Sequence, residues 1–156
     1  MNPRRSRFRE VVIDTGPLLF YLVGTYDRNH LRRFGYDWPD YILLLNYLGS
    51  FRRVLVTPQV LAEASNLARR RLKDEHYTAF ISRSISCLSG LGEEYIPKDD
   101  ILKMPELPRF GITDSSLIEM MRRDKLLLTD DAPLFWYCSG KEMPVVHLDG
   151  IRSLLI

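Results

Sequence analysis

Asp14, Glu63, Asp114 and the pair Asp130-Asp131 are the residues of this chain best placed to do chemistry. Asp14 closes the apolar run Val11-Val12-Ile13, and Asp130-Asp131 close Leu126-Leu127-Leu128-Thr129. Both runs read as short buried strands, and the working groups of open α/β sheets lie just beyond the carboxyl ends of such strands. Glu63 and Asp114 fall near the beginnings of predicted helices, which would bring them to the same edge. Four carboxylates in one cleft repel one another and raise each other's pKa values, a cost that a divalent cation removes. An all-oxygen donor set suits Mg2+ or Mn2+ rather than zinc. His30, His76 and His147 are isolated in the sequence, and Cys87 and Cys138 lack metal-ligand spacing. The two cysteines are expected to be buried free thiols in a reducing compartment. Taken singly, each acid has an ordinary use as a turn residue, a helix cap or a first-turn partner of the helix dipole. Their joint placement is what points to chemistry.

Positioning them requires strands that alternate with helices. Strands are expected at 11–13, 54–57, 94–97, 126–129 and 145–148, where short apolar runs meet turn residues. Pro17 suits the first turn of a helix, with Leu18, Leu19, Leu22 and Val23 following at helical spacing. Further helices are expected over 41–51, 59–73, 76–88 and 133–137, and Thr113 or Asp114 can cap one running to 124. Residues 24–40, with Tyr26, His30, Tyr36 and Trp38 among charges, read as a loop, and 99–109 holds only a short helix between prolines. The alternation predicts an α/β fold with a central, mainly parallel sheet of four or five strands. Right-handed crossovers then place every strand C-terminus on one edge.

The composition, 46% apolar and 27% charged, is that of a soluble globular protein, expected as one domain over 11–156 after a flexible basic leader at 1–10. The net charge of +2 does not by itself indicate a nucleic-acid partner. Basic residues do cluster, at Arg4-Arg5-Arg7-Arg9, Arg32-Arg33, Arg52-Arg53, Arg69-Arg70-Arg71-Lys73 and Arg122-Arg123-Lys125. One such cluster is usually a solvated helix face, whereas several in a small domain favour a polyanionic partner. No apolar run approaches the ~20 residues that span a bilayer, and no signal peptide is visible, so a cytoplasmic location without membrane attachment is expected.

Four segments together resemble the PIN domain family, metal-dependent ribonucleases that include the toxins of many bacterial and archaeal toxin–antitoxin pairs. They are V-V-I-D-T-G-P-L-L from Val11, V-T-P-Q-V-L-A-E-A from Val56, G-I-T-D-S-S-L-I from Gly111 and L-L-L-T-D-D-A-P-L-F from Leu126. The resemblance runs from Val11 to Leu148 and implies a three-layer α/β/α sandwich. Carried over by position, it implies acids at Asp14, Glu63, Asp114 and Asp131, with Asp130 as a neighbouring candidate for the fourth. Asp14 and Asp114 would hold an Mg2+ or Mn2+ ion, helped by Glu63, Asp131 or Asp130, and the hydroxyls of Thr15, Thr129 and Ser115 would orient carboxylates or water. The implied activity is metal-assisted hydrolysis of RNA by in-line attack of water, leaving a 5′-phosphate.

Arg52, Arg69, Arg70 and Arg109 are candidates to hold the RNA along the cleft rim, with Tyr26, Tyr36 or Trp38 available to stack bases. A toxin role would add an antitoxin protein as partner, and dimerisation is common in the family, so a homodimer is expected. A stand-alone RNA-processing nuclease would carry the same acids. A haloacid-dehalogenase-type phosphotransferase needs an acid where Gly16 stands, and a receiver domain needs a second acid on its first strand. A non-catalytic interaction module on this fold is expected to have lost one or more of the acids, and this chain keeps them all.

Overall fold

Short apolar runs make the three central strands, because the sheet they join is covered on both faces. In the computed structural model, which describes residues 7–151, β1 (Glu10–Ile13), β2 (Arg53–Val56), β3 (Gly92–Glu93), β4 (Leu126–Thr129) and β5 (Val145–His147) form one wholly parallel sheet in the order β3-β2-β1-β4-β5. Val12 at its centre pairs with Leu55 on one side and Leu127 on the other, and all three are essentially inaccessible. Most of the predicted leader lies outside the described residues. Its end is already tied to the sheet, since the Arg9 carbonyl accepts the Arg52 and Arg53 N–H groups.

Seven helices flank the sheet in the described residues: α1 (Thr15–Tyr26), α2 (Trp38–Gly49), α3 (Pro58–Arg71), α4 (Asp74–Ser89), α5 (Lys98–Leu102), α6 (Leu107–Arg122) and α7 (Ala132–Gly140). α1 packs against α2, α3 and α4, while α6 packs against α5 and α7, giving the expected three-layer α/β/α sandwich. Strand order reverses at β1: β2 and β3 are added on one side, β4 and β5 on the other. Beyond the carboxyl ends of β1 and β4 the chain therefore leaves in opposite directions and opens a crevice.

Four expectations need correction. The third strand is earlier and shorter than 94–97. Glu94 N–H adds one more bond to the Val56 carbonyl, and the chain then turns at Pro97 into α5. Residues 24–40 are not a loop: α1 runs to Tyr26, Asp27 caps a 3-10 helix over Arg28–Phe34, and His30, Leu31 and Phe34 are buried. Nor are two of the histidines isolated, because the His30 and His76 rings lie 4.9 Å apart and the Tyr26 hydroxyl sits 3.2 Å from His76 Nδ1.

The fourth correction concerns Asp114. Gly111 interrupts α6 at φ 81° and ψ −178°, a conformation essentially reserved for glycine. The helix restarts immediately after it, so Asp114 lies in the first turn instead of serving as the cap. An added methyl group at Gly111 would meet no atom within 4 Å, so substitution there isolates backbone strain from packing. Gly111→Ala is expected to lower the unfolding free energy by about 1–3 kcal/mol, read as a shift in urea midpoint at constant m-value. An unchanged midpoint would mean that the kink does not depend on glycine.

Candidate active site

Each strand that reaches the crevice edge ends in a residue that caps the next helix. Asp14 caps α1, its carboxylate accepting the Thr15 N–H at 2.6 Å and the Thr129 hydroxyl at 2.6 Å. Thr57 caps α3 through Val60 N–H, and Asp131 caps α7 through Leu134 N–H at 2.8 Å. Thr129 also receives the Asp131 N–H on its hydroxyl, so one threonine links the two strand ends. The N-termini of α1, α3 and α7 thus share this edge, and their partial positive charge favours the carboxylates gathered there.

Among the described residues Glu63 and Asp114 are the acids of this set without a partner, and Asp114 is the one that is half-buried. Its half-buried carboxylate makes no hydrogen bond or ion pair among the described residues. Burial, followed by the nearby charges of Asp14, Asp131 and Glu63, raises its pKa to about 7. Asp14 is raised to about 6, chiefly by burial; the bonds from Thr129 and Thr15 lower it, and Asp130 and Asp131 push it up further. Strand ends β1 and β4 and the starts of α3 and the restarted α6 therefore bring Asp14, Asp131 and Glu63 within electrostatic reach of Asp114.

Asp130 and Asp131 have different surroundings. Asp130 accepts the Tyr36 hydroxyl at 2.9 Å and lies directly over Gly16, where any β-carbon would collide with it. Tyr36 in turn stacks on Phe20 at 3.9 Å. Asp131 is the member of the pair whose charge reaches both Asp14 and Asp114.

Unsatisfied polar atoms point to the same place. Among the described residues, the buried side-chain oxygens with no hydrogen-bond partner are Thr15 Oγ1, Gln59 Oε1 and Ser115 Oγ. Thr15 and Ser115 adjoin Asp14 and Asp114, and Gln59 precedes Glu63 by one helical turn. Buried polar groups are nearly always bonded, so three exceptions along one edge mark a place built for something polar. Gln59 was not singled out by its sequence context; a glutamine just after the proline that opens α3 is the signal that could have found it.

The basic candidates are dispersed. Arg70 shares a groove with Gln59, Glu63, Asn66 and Thr113 at the acid edge. Arg69 lies over the Tyr77 ring, and Arg109 over Phe110 and Tyr137. Arg52 is on the opposite edge, since it precedes a parallel strand and the acids follow theirs. Of the aromatics, Tyr36 reaches the site, Tyr26 packs against His76 and Phe80, and Trp38 lies under Arg28 beside Tyr41.

The comparisons with known proteins add little to this geometry. No family model matches the chain, and no curated protein matches it. Among solved structures it is similar to a PilT N-terminus domain protein from the hyperthermophilic archaeon Sulfolobus solfataricus, at 11% identity and a TM-score of 0.44, over 91% of this chain and 89% of that one. That likeness is faint, and the chain's own residues carry the chemistry. No helix among the described residues is long and apolar enough to cross a membrane.

The acids meet at one edge without forming a closed cage. Among the described residues, no three Asp, Glu, His or Cys side chains are grouped closely enough to hold a metal. Asp14 is engaged by Thr15 and Thr129, Asp130 by Tyr36, and Asp131 by the start of α7, so each is drawn to its own neighbours. The donor set still suits a magnesium-type ion, which takes one or two carboxylates, keeps several waters and seldom needs a cage.

Raised carboxylate pKa values make the folded protein bind more protons than the unfolded chain, so the stability they contribute is present at low pH and is lost as pH rises through about 6 to 7. In chelator, wild type should therefore lose stability between about pH 5 and pH 7.5 relative to Asp114→Asn, by about 1–2 kcal/mol after allowance for solvent screening. Urea unfolding of both proteins across that range measures it. Parallel curves would show that Asp114 is not under electrostatic pressure.

Proposed function

We propose that this protein is a metal-dependent endoribonuclease that hydrolyses RNA phosphodiester bonds in the crevice beyond β1 and β4. The observation that carries this reading is the unpartnered carboxylate of Asp114, set among Asp14, Asp131 and Glu63 at the point where strand order reverses. Structural acids are ordinarily given donors, as Glu106 is by Arg122 and Tyr137 in the same protein. Asp114 has been given three other acids.

Asp14 and Asp114 would hold Mg2+ or Mn2+, with Asp131 and Glu63 facing the ion directly or through water. A bound cation of this kind supplies Lewis-acid polarisation of a phosphoryl oxygen and a more acidic water. The chain's own residues do the positioning. Thr129 and the Thr15 N–H fix both oxygens of Asp14, so that its charge points in one direction. Asp131 is held at the start of α7 by Leu134 N–H, which fixes where its charge lies. The oxygens of Thr15, Ser115 and Gln59 lie buried behind the acids without a protein partner, so they would serve the carboxylates in front of them rather than the RNA itself. Arg70, beside Glu63, is placed to neutralise a phosphate entering along α3.

Cleavage of an end-labelled single-stranded RNA, with Mg2+ or Mn2+ and with or without EDTA, tests the proposal. Asp14→Asn and Asp114→Asn are each expected to slow cleavage on the order of 10²–10³-fold, as loss of one charge-stabilising group at a reacting centre does. Activity that persists in both variants would exclude the acids from the reaction, and activity undiminished by EDTA would exclude the metal.

A further inference from the structure

The opposite edge of the sheet is as basic as this edge is acidic. The Arg9 carbonyl takes the backbone N–H of Arg52 at 2.8 Å and of Arg53 at 3.4 Å, which pins the entry of β1 to the entry of β2. Lys125 enters β4 on the other side of β1. Three neighbouring strand entries thus gather Arg7, Arg9, Arg52, Arg53 and Lys125 around an open cleft of about 500 Å3, with Phe8, Glu10 and Asp124 completing its lining.

Two carboxylates do not balance five cations. Glu10 is shared by Arg53 and Lys125, and Asp124 pairs with Arg7 at 3.5 Å. Arg9 and Arg52 are both exposed and make no ion pair among the described residues. The helix ends nearby offer an alternative use for positive charge, because α2 and α6 finish just before β2 and β4. A helix C-terminus carries only about half a negative charge, however, so two of them call for about one cation between them. The surplus faces solvent in a concave setting, where a field of one sign is focused.

We propose that this cleft docks the phosphate backbone of single-stranded RNA, at a site separate from the acidic crevice. The proposal rests on the nuclease reading above, which requires a polyanion to approach an edge lined with carboxylates. Such an edge repels phosphate, and Arg70 beside Glu63 offers a single cation there, so most of the attraction that captures the strand has to come from elsewhere on the molecule. The arginine fork matches phosphate oxygens in pairs, and the two arginines without an ion pair line the same cleft with their backbones joined, the Arg52 N–H donating to the Arg9 carbonyl. The two edges are separated by four-residue strands, roughly 13 Å, so a strand held at one can run over the flank to the other.

Fluorescence anisotropy with a fluorescein-labelled single-stranded oligouridylate, in EDTA and at several salt concentrations, tests docking without cleavage. Arg9→Ala/Arg52→Ala is expected to weaken binding by about tenfold or more and to flatten the slope of log K against log salt by about 1.4, the value for two lost phosphate contacts on a single strand. Arg32→Ala/Arg33→Ala removes the same charge from the 3-10 helix and is expected to leave most of the affinity intact. Equal losses in the two double variants would reduce the effect to overall charge and overturn the proposal. So would absence of binding by wild type, or equally tight binding of a labelled polyglutamate of the same charge. None of these outcomes depends on the acids, so failure here is distinguishable from failure of the nuclease reading, which is decided by cleavage in the Asp14 and Asp114 variants.

Discussion

Repulsion among carboxylates at the β1/β4 crevice is the constraint around which the rest of this structure is arranged. A half-buried Asp114 with no donor among the described residues, facing three other acids, opposes folding whenever it is ionised. The fold tolerates it through features that act nearby: helix N-termini converge on the same edge, Thr129 ties Asp14 to the neighbouring strand, and Gly111 lets α6 restart so that Asp114 falls in a first turn. Tyr36 performs a similar service for Asp130, holding it over Gly16. Such an arrangement opposes folding of the free protein and would be relieved by a cation of the kind proposed above, and proteins often keep strain of this kind where function uses it.

Parallel topology explains why the charge is polarised. All β-to-α turns lie at one edge of the sheet and all α-to-β turns at the other. Helices therefore present their positive ends to the acids and their negative ends to the basic cleft. At the basic edge, Glu10 anchors Lys125 and Arg53 and so crosslinks the entries of the three central strands. The protein's modest net charge conceals two opposed fields separated by roughly the length of one strand.

Much of this was legible in the sequence, for identifiable reasons. β1, β2 and β4 are continuous apolar runs that end in polar turns, so their positions and the acids that follow them could be read directly. β3 could not, because two residues carry no periodicity. Residues 24–40 looked like a loop because the partners that bury them, among them Phe20, His76 and Phe80, are remote or lie on another helix. The kink at Gly111 was hidden by the helical sequence on either side, and the distinction between Asp130 and Asp131 waited on a tyrosine 94 residues away. Arg52 was misplaced although the sheet's polarity already dictated its edge, since it precedes a strand and Asp14 follows one.

The most direct test of the central claim is thermal unfolding during titration with Mn2+ near pH 7.5, comparing wild type with Asp14→Asn and Asp114→Asn. A cation that binds only the folded state stabilises it by RT ln(1 + [L]/Kd), about 2.7 kcal/mol at a hundredfold excess over Kd. The account predicts a saturable rise in wild-type Tm that is lost in both variants. A wild-type Tm indifferent to Mn2+, or one that rises equally in all three proteins, would contradict it.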